Sequence, residues 1–217
     1  MPFVPSFASA LAEHFQQPER KRMLSSLVVT AAPEHWISLE SAALLDTNRT
    51  RFGLDELLDH RSNVPRWLIA AERKKVDLWI EDQLNHEPPI SIEFKLIHNN
   101  KNAYQKIWEI RRDLAKVIPD VSCNDSIRRW GVVILVFSRF YDDQAGNYSY
   151  KQEFNSSDDL LRAFAAGLGD TDPWYEGAPQ LELVNEPILL CDLASANYID
   201  PTKGQSSVHL ALVRVKQ

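Results

Sequence analysis

Apolar residues along this chain change their spacing from helical to alternating and back. Residues 6–16 and 19–30 read as short helices on either side of Pro18. A further helix is predicted over 34–46, EHWISLESAALLD, because Pro33 is tolerated where a helix opens. Another helical turn is predicted over 54–60, stopped before Pro65. The pattern then becomes that of strands. WLIAAER (67–73) and VDLWIE (76–81) are rich in β-formers, and the Lys74–Lys75 link fits a hairpin or a bend within one strand. After the Pro88–Pro89 break, ISIEFKLI (90–97) alternates Ile92, Phe94 and Leu96 on one face with Ser91, Glu93, Lys95 and Ile97 on the other.

The clearest helix is predicted over 101–117, KNAYQKIWEIRRDLAKV. Ala103, Ile107, Ile110, Leu114 and Val117 make its apolar stripe, and Lys101, Gln105, Trp108, Arg112 and Lys116 lie opposite. WGVVILVFSRFY (130–141) is the most apolar run and reads as a central strand covered on both faces. A loop at 142–147 leads to an antiparallel partner at 148–154. A helix follows over Asp158–Leu168, with Ser156 or Ser157 as its N-cap and Gly169 near its end. Residues 169–179 read as a loop, and strands at about 181–193 and 207–216 finish the chain. The order predicts an α/β (α+β) fold: a mixed central sheet flanked by helices, with a crossover over 90–140. At 217 residues the chain is expected to form a single domain, 1–217. It comprises an N-terminal helical segment 1–33, a core at about 34–141 and a C-terminal extension 142–217.

Composition narrows the class. No stretch has the apolar length of a membrane span, no secretory signal is read, and Cys123 and Cys191 show no zinc-site spacing, so cytoplasm is the default expectation. The net charge of −6 argues mildly against a constitutive nucleic-acid coat. The charge is uneven: residues 61–130 carry 13 Lys and Arg against 10 Asp and Glu, and the remainder 11 against 20. A locally positive cleft on an acidic protein can still bind a polyanion. A solvated mixed surface is the alternative.

Candidate chemistry lies where charges interrupt strands. Asp77 sits between Val76 and Leu78, and Glu93 and Lys95 project from one face of a single strand. Charges inside a sheet are costly unless paired or bound to metal. Asp77 and Glu93 can offer hard oxygen ligands to Mg²⁺, with the backbone carbonyl of Phe94 as a further donor, and Lys95 can orient an attacking water. The bland alternatives are an Asp77 paired to Lys75 or Arg73, and a cross-strand charge pair at Glu93 and Lys95. The six histidines do not form a ligand set.

Asp77, a spacer and Glu93-Phe94-Lys95 resemble the PD-(D/E)XK nuclease superfamily, whose restriction-endonuclease-like αβββαβ core matches roughly residues 36–140. The resemblance implies that Asp77 and Glu93 hold metal and that Lys95 serves the attacking water. It also implies a ligand on the preceding helix, for which Glu40 is the match, and a polar residue early in the next helix, for which Gln105 is the match and Lys101 a substitute. Glu72 resembles a further acid of some subfamilies. Val76 stands where many members have proline, and no Gln-xxx-Tyr pair follows, because Glu109 is four residues after Gln105. Trp108 and the Trp174–Tyr175 pair could stack on bases, and Arg111–Arg112 and Arg128–Arg129 could contact phosphate. The function implied is an Mg²⁺-dependent endonuclease, with Mn²⁺ as a substitute, acting on nucleic acid, most simply duplex DNA, and a homodimer is left open. The other reading is a non-catalytic binding or assembly module on the same fold.

Overall fold

A computed structural model of the chain describes residues 3–30, 33–59, 61, 63–121, 123–138, 153–170, 177–193 and 206–216. Four helices come first: α1 (Phe3–Gln16), α2 (Pro18–Thr30), α3 (Glu34–Thr47) and α4 (Arg49–Phe52). The helical turn expected at 54–60 falls earlier, as α4, because Gly53 takes a left-handed conformation (φ 66°) that ends it. Residues 57–59 instead form a short strand, β1 (Leu57–Asp59), paired with β2 (Val64–Pro65). Then come β3 (Trp67–Arg73), β4 (Val76–Asp82), β5 (Ile90–His98), α5 (Ala103–Ala115) and β6 (Arg128–Phe137). With the short α4 and the separate β1–β2 pair set aside, α3, β3, β4, β5, α5 and β6 follow one another as α-β-β-β-α-β. Last come α6 (Ser157–Gly167), β7 (Leu181–Leu183), β8 (Ile188–Asp192) and β9 (Ser207–Val215). The antiparallel partner expected at 148–154 and the loop at 142–147 lie largely outside the described residues. Only Glu153 and Phe154 of that partner are described, and neither is in a strand.

Among the described residues the main sheet has seven strands, ordered β3-β4-β5-β6-β9-β7, with β8 also on β9. β4 is antiparallel to both of its neighbours, β3 and β5, and β5 and β6 are parallel across the α5 crossover. The fold is thus the α/β class expected, with a mixed sheet between helical layers. Lys74 and Lys75 make a two-residue hairpin rather than a bend. Both have positive φ, 55° and 59°, the sign pattern of a type I′ turn. The single strand expected at 181–193 is two, which share the outer edge of β9. Pro187, with no N–H to give a ladder, separates them.

Alternation along β6 explains the layers. Val132, Ile134 and Val136 face α1 to α4 in one core, with Ile92, Phe94, Leu96, Phe7 and Leu11. Val133, Leu135 and Phe137 face α5 and α6 in the other, with Ile107, Ile110, Leu114 and Phe164. Such side chains each contribute about 1.5–3 kcal/mol when fully buried. The run at 130–141 is a central strand covered on both faces as far as Phe137, and residues 139–141 lie outside the described residues. No helix among the described residues is long and apolar enough to cross a membrane.

Candidate active site

β4 and β5 part company in the middle of the sheet. They pair from Ile80↔Ile90 to Leu78↔Ile92, and the ladder stops there. Two N–H groups of β5, those of Phe94 and Leu96, lie beyond the last rung. A buried donor without a partner is costly, so these must be satisfied elsewhere. The Phe94 N–H donates to Asp77 Oδ2 (2.6 Å), and the Leu96 N–H donates to Glu34 Oε1 (3.2 Å). The Ser38 hydroxyl of α3 donates to the Asp77 carbonyl. Carboxylates thus take over where the backbone ladder ends. On its other edge β5 stays paired with β6 from Ile90↔Arg128 to His98↔Val136, which makes it a rigid platform.

Glu93 and Lys95 leave that platform toward the last turn of α5. Glu93 Oε1 pairs with Lys116 Nζ, and Lys95 Nζ pairs with Asp113 Oδ2, both at 2.8 Å. The Glu93 side chain is 7% exposed, Lys95 17%, Asp113 31% and Lys116 36%, so the cluster opens to solvent on the helix side. Burial raises Glu93 from the ordinary 4.5 to about 7. The Lys116 hydrogen bond opposes that shift, and the charges of Asp77 and Asp113 add to it. Asp77 is also raised, by burial first and by the charge of Glu72, against the Phe94 N–H and the charges of Lys95 and Lys116. For Lys95, burial pulls downward, but the hydrogen bond and charge of Asp113, with Glu109 and Glu34, outweigh it and the net shift is upward. Carboxylates outnumber ammoniums here, and the two most buried ones hold protons more tightly than usual. That environment favours the arrival of a cation.

Asp77, Glu93 and Lys95 are therefore brought together, but not as either bland alternative has it. Asp77 is held by a backbone N–H rather than by Lys75 or Arg73. Glu93 and Lys95 pair with α5 rather than with a neighbouring strand. Phe94 lies between them, its ring in the core. Glu40 is a correction. Its carboxylate is taken by His14 Nε2 of α1 (2.8 Å) and Arg20 Nη1 of α2 (3.0 Å). The acid of α3 that reaches the cluster is Glu34, six residues earlier and on another face of the helix. Gln105 is a second correction: it is exposed and donates to Glu109 Oε1 (3.0 Å), while Glu109, Asp113 and Lys116 bear on the strand charges.

Lys101 is exposed ahead of α5, Arg112 is half-buried on it, and Trp108 is half-buried with its ring 6.5 Å from Tyr104. Glu72, with φ 54°, faces Asp77 across the hairpin and pairs with His35 Nδ1 (3.1 Å). The arginines expected at phosphate are mostly committed within the fold. Arg111 is buried and donates to the carbonyls of Asp170, Ala178 and Pro179. Arg128 pairs with Glu87, and Arg129 donates to Lys116 O and Asn124 Oδ1. Trp174 and Tyr175 lie outside the described residues. Asp113, Lys116 and Glu34 were missed by sequence reasoning. Asp113 and Lys116 carried a usable signal: oppositely charged residues one turn apart, ending a helix that must pack on Glu93 and Lys95.

The Glu93 shift fixes the sign of a pH effect. Between 4.5 and about 7 the folded chain holds a proton that the unfolded chain has released. Stability therefore falls as pH rises through that window, and the cost is complete above about 7. Glu93→Gln removes the ionisable group. The variant is expected to match the wild type near about pH 5 and to exceed it by up to about 3 kcal/mol near about pH 8. Urea unfolding at both pH values checks this, and a difference that does not change with pH contradicts it. Comparisons with family models, with curated proteins and with solved structures give no match for this chain.

Proposed function

We propose that this chain is a divalent-metal-dependent endonuclease of the PD-(D/E)XK type, which hydrolyses phosphodiester bonds of DNA in the cytoplasm. The observation that carries this reading is the parting of β4 from β5, which sets Asp77 against Phe94 N–H beside the buried Glu93 and the adjacent Lys95. The α-β-β-β-α-β succession of α3, β3, β4, β5, α5 and β6, interrupted only by the short α4 and the β1–β2 pair, supports it as well.

The donor set suits Mg²⁺. Among the described residues no three His, Cys, Asp or Glu side chains converge as a ready ligand group. Mg²⁺ keeps several waters of its own and takes one or two carboxylates. Asp77 and Glu93 would hold it, with the Phe94 carbonyl as a third donor. Bound there, the metal would polarise the phosphate and lower the pKa of a water. Lys95 would orient the attacking water and offset charge on the phosphorane, with Asp113 keeping its ammonium protonated and in place. Glu40 has no part in this chemistry.

One observation favours the other reading, a non-catalytic assembly module. Glu93 and Lys95 are each already ion-paired inside the fold. Incubation of the purified chain with supercoiled plasmid, in Mg²⁺, Mn²⁺ or EDTA, separates the two. The nuclease reading expects nicked or linear product with metal and none with EDTA. Intact duplex, single-stranded and RNA substrates, together with no Mn²⁺ binding by calorimetry, would leave the assembly module.

A further inference from the structure

Two ion pairs stand side by side between β5 and the last turn of α5, and their polarity alternates. The carboxylate of Glu93 on the strand receives an ammonium from the helix, while the ammonium of Lys95 on the strand gives to a carboxylate of the helix. The two helix residues differ in how firmly they are committed. Asp113 sits inside the final turn, and Lys116 caps it in an extended conformation (φ −62°, ψ 144°). The Lys116 carbonyl accepts from Arg129 Nη1 (2.8 Å), and Arg129 is braced on Asn124 Oδ1 (3.0 Å). The backbone is therefore pinned while the ammonium rides on a flexible four-carbon stem that is 36% exposed. It can withdraw into water without moving the helix. The carbonyl end of α5 still favours a cation nearby after withdrawal.

Glu93 has no such freedom, because β5 is paired with β6 on both sides of it. An ammonium and a divalent cation cannot share its carboxylate without strong like-charge repulsion at such short range. We propose that Lys116 is a displaceable internal counter-ion that competes with the divalent cation for Glu93 and so sets the metal affinity of the site. Lys95, tied to Asp113, stays behind when Lys116 leaves. This rests on the reading of Asp77 and Glu93 as metal ligands.

The test is Mn²⁺ binding by titration calorimetry on the full chain, with no nucleic acid present. Lys116→Met keeps the stem and removes the charge, and it is expected to bind about tenfold more tightly than the wild type, the effect of removing one nearby unit charge at a partly exposed site. Lys116→Gln should do the same, and Lys116→Arg, which keeps the charge, should stay within about twofold of the wild type. On a Glu93→Gln background, Lys116→Met should give no gain, since the contested carboxylate is gone. Wild-type binding that is unchanged or weakened in both Lys116→Met and Lys116→Gln overturns the counter-ion role and leaves the metal site standing. No Mn²⁺ binding by any of these proteins overturns the metal site and the counter-ion role together.

Discussion

Lys95→Ala is expected to lower metal-dependent plasmid cleavage by about 10³-fold while leaving Mn²⁺ affinity within about threefold of the wild type. Lys95 is two residues from Glu93 on the same face of β5, so any phosphate brought to Glu93 meets the Lys95 ammonium as well. Its side chain is only 17% exposed and is anchored at 2.8 Å by Asp113, so it is preorganised and loses little freedom on substrate binding. Truncation to alanine removes a charge made effective by its partly desolvated setting, and Lys116, the ammonium paired beside it among the described residues, is taken up by Glu93. Asp113→Asn keeps Lys95 and removes the charge that steadies it, so it should show a smaller loss, about tenfold. Single-turnover cleavage at saturating Mg²⁺ is the measurement. Equal rates for wild type and Lys95→Ala would take Lys95 out of the chemistry.

Arg111→Met is expected to lower stability by about 3–5 kcal/mol with little change in the cleavage rate per folded molecule. Arg111 is 2% exposed, on the side of α5 that packs into the second core. Its guanidinium donates to three backbone carbonyls of the C-terminal region, those of Asp170, Ala178 and Pro179. These hold the end of the chain after α6 against the crossover helix. Methionine fills part of the volume but removes the charged donor from three carbonyls of half-buried or exposed residues, and a hydrogen bond to a charged group contributes about 1.5–3 kcal/mol. Chemical denaturation with the midpoint followed by tryptophan fluorescence tests this. A loss of activity in protein that remains fully folded would instead return Arg111 to a phosphate-contacting role.

The outcome at Arg111 illustrates what a sequence conveys and what it withholds. A pair of adjacent arginines on a helix reads as a solvated or phosphate-binding surface, because a wheel cannot tell which carbonyls a later loop will bring to it. Glu40 fails for a similar reason. Its position among apolar neighbours correctly marked it as needing a partner, but the partners are His14 and Arg20, from helices packed by long-range contacts. Gln105 fails on geometry. The chain turns back after His98, so the three residues from His98 to Lys95, at about 3.3 Å each, are matched by about seven residues of helix at about 1.5 Å each. That carries Lys95 past the first turn of α5, where Gln105 lies, toward the later turns, from which Asp113 reaches it.

By itself the sequence determined the succession of strands and helices from Trp67 to Phe137, and the central place of the β6 run, because periodicity and apolar content are local signals that burial on both faces writes directly into the chain. It also determined which side chains on the strands were out of place, since a carboxylate or ammonium within an apolar strand demands a partner wherever the strand lies. Only the tertiary structure decided who those partners are. The end of the β4 ladder at Leu78 gives Asp77 its bond to Phe94, and the length and pitch of α5 give Glu93 its Lys116 and Lys95 its Asp113. The physical reason is that such contacts join residues far apart in sequence, and their pairing depends on register, helix rotation and the sites where backbone groups lose their own partners.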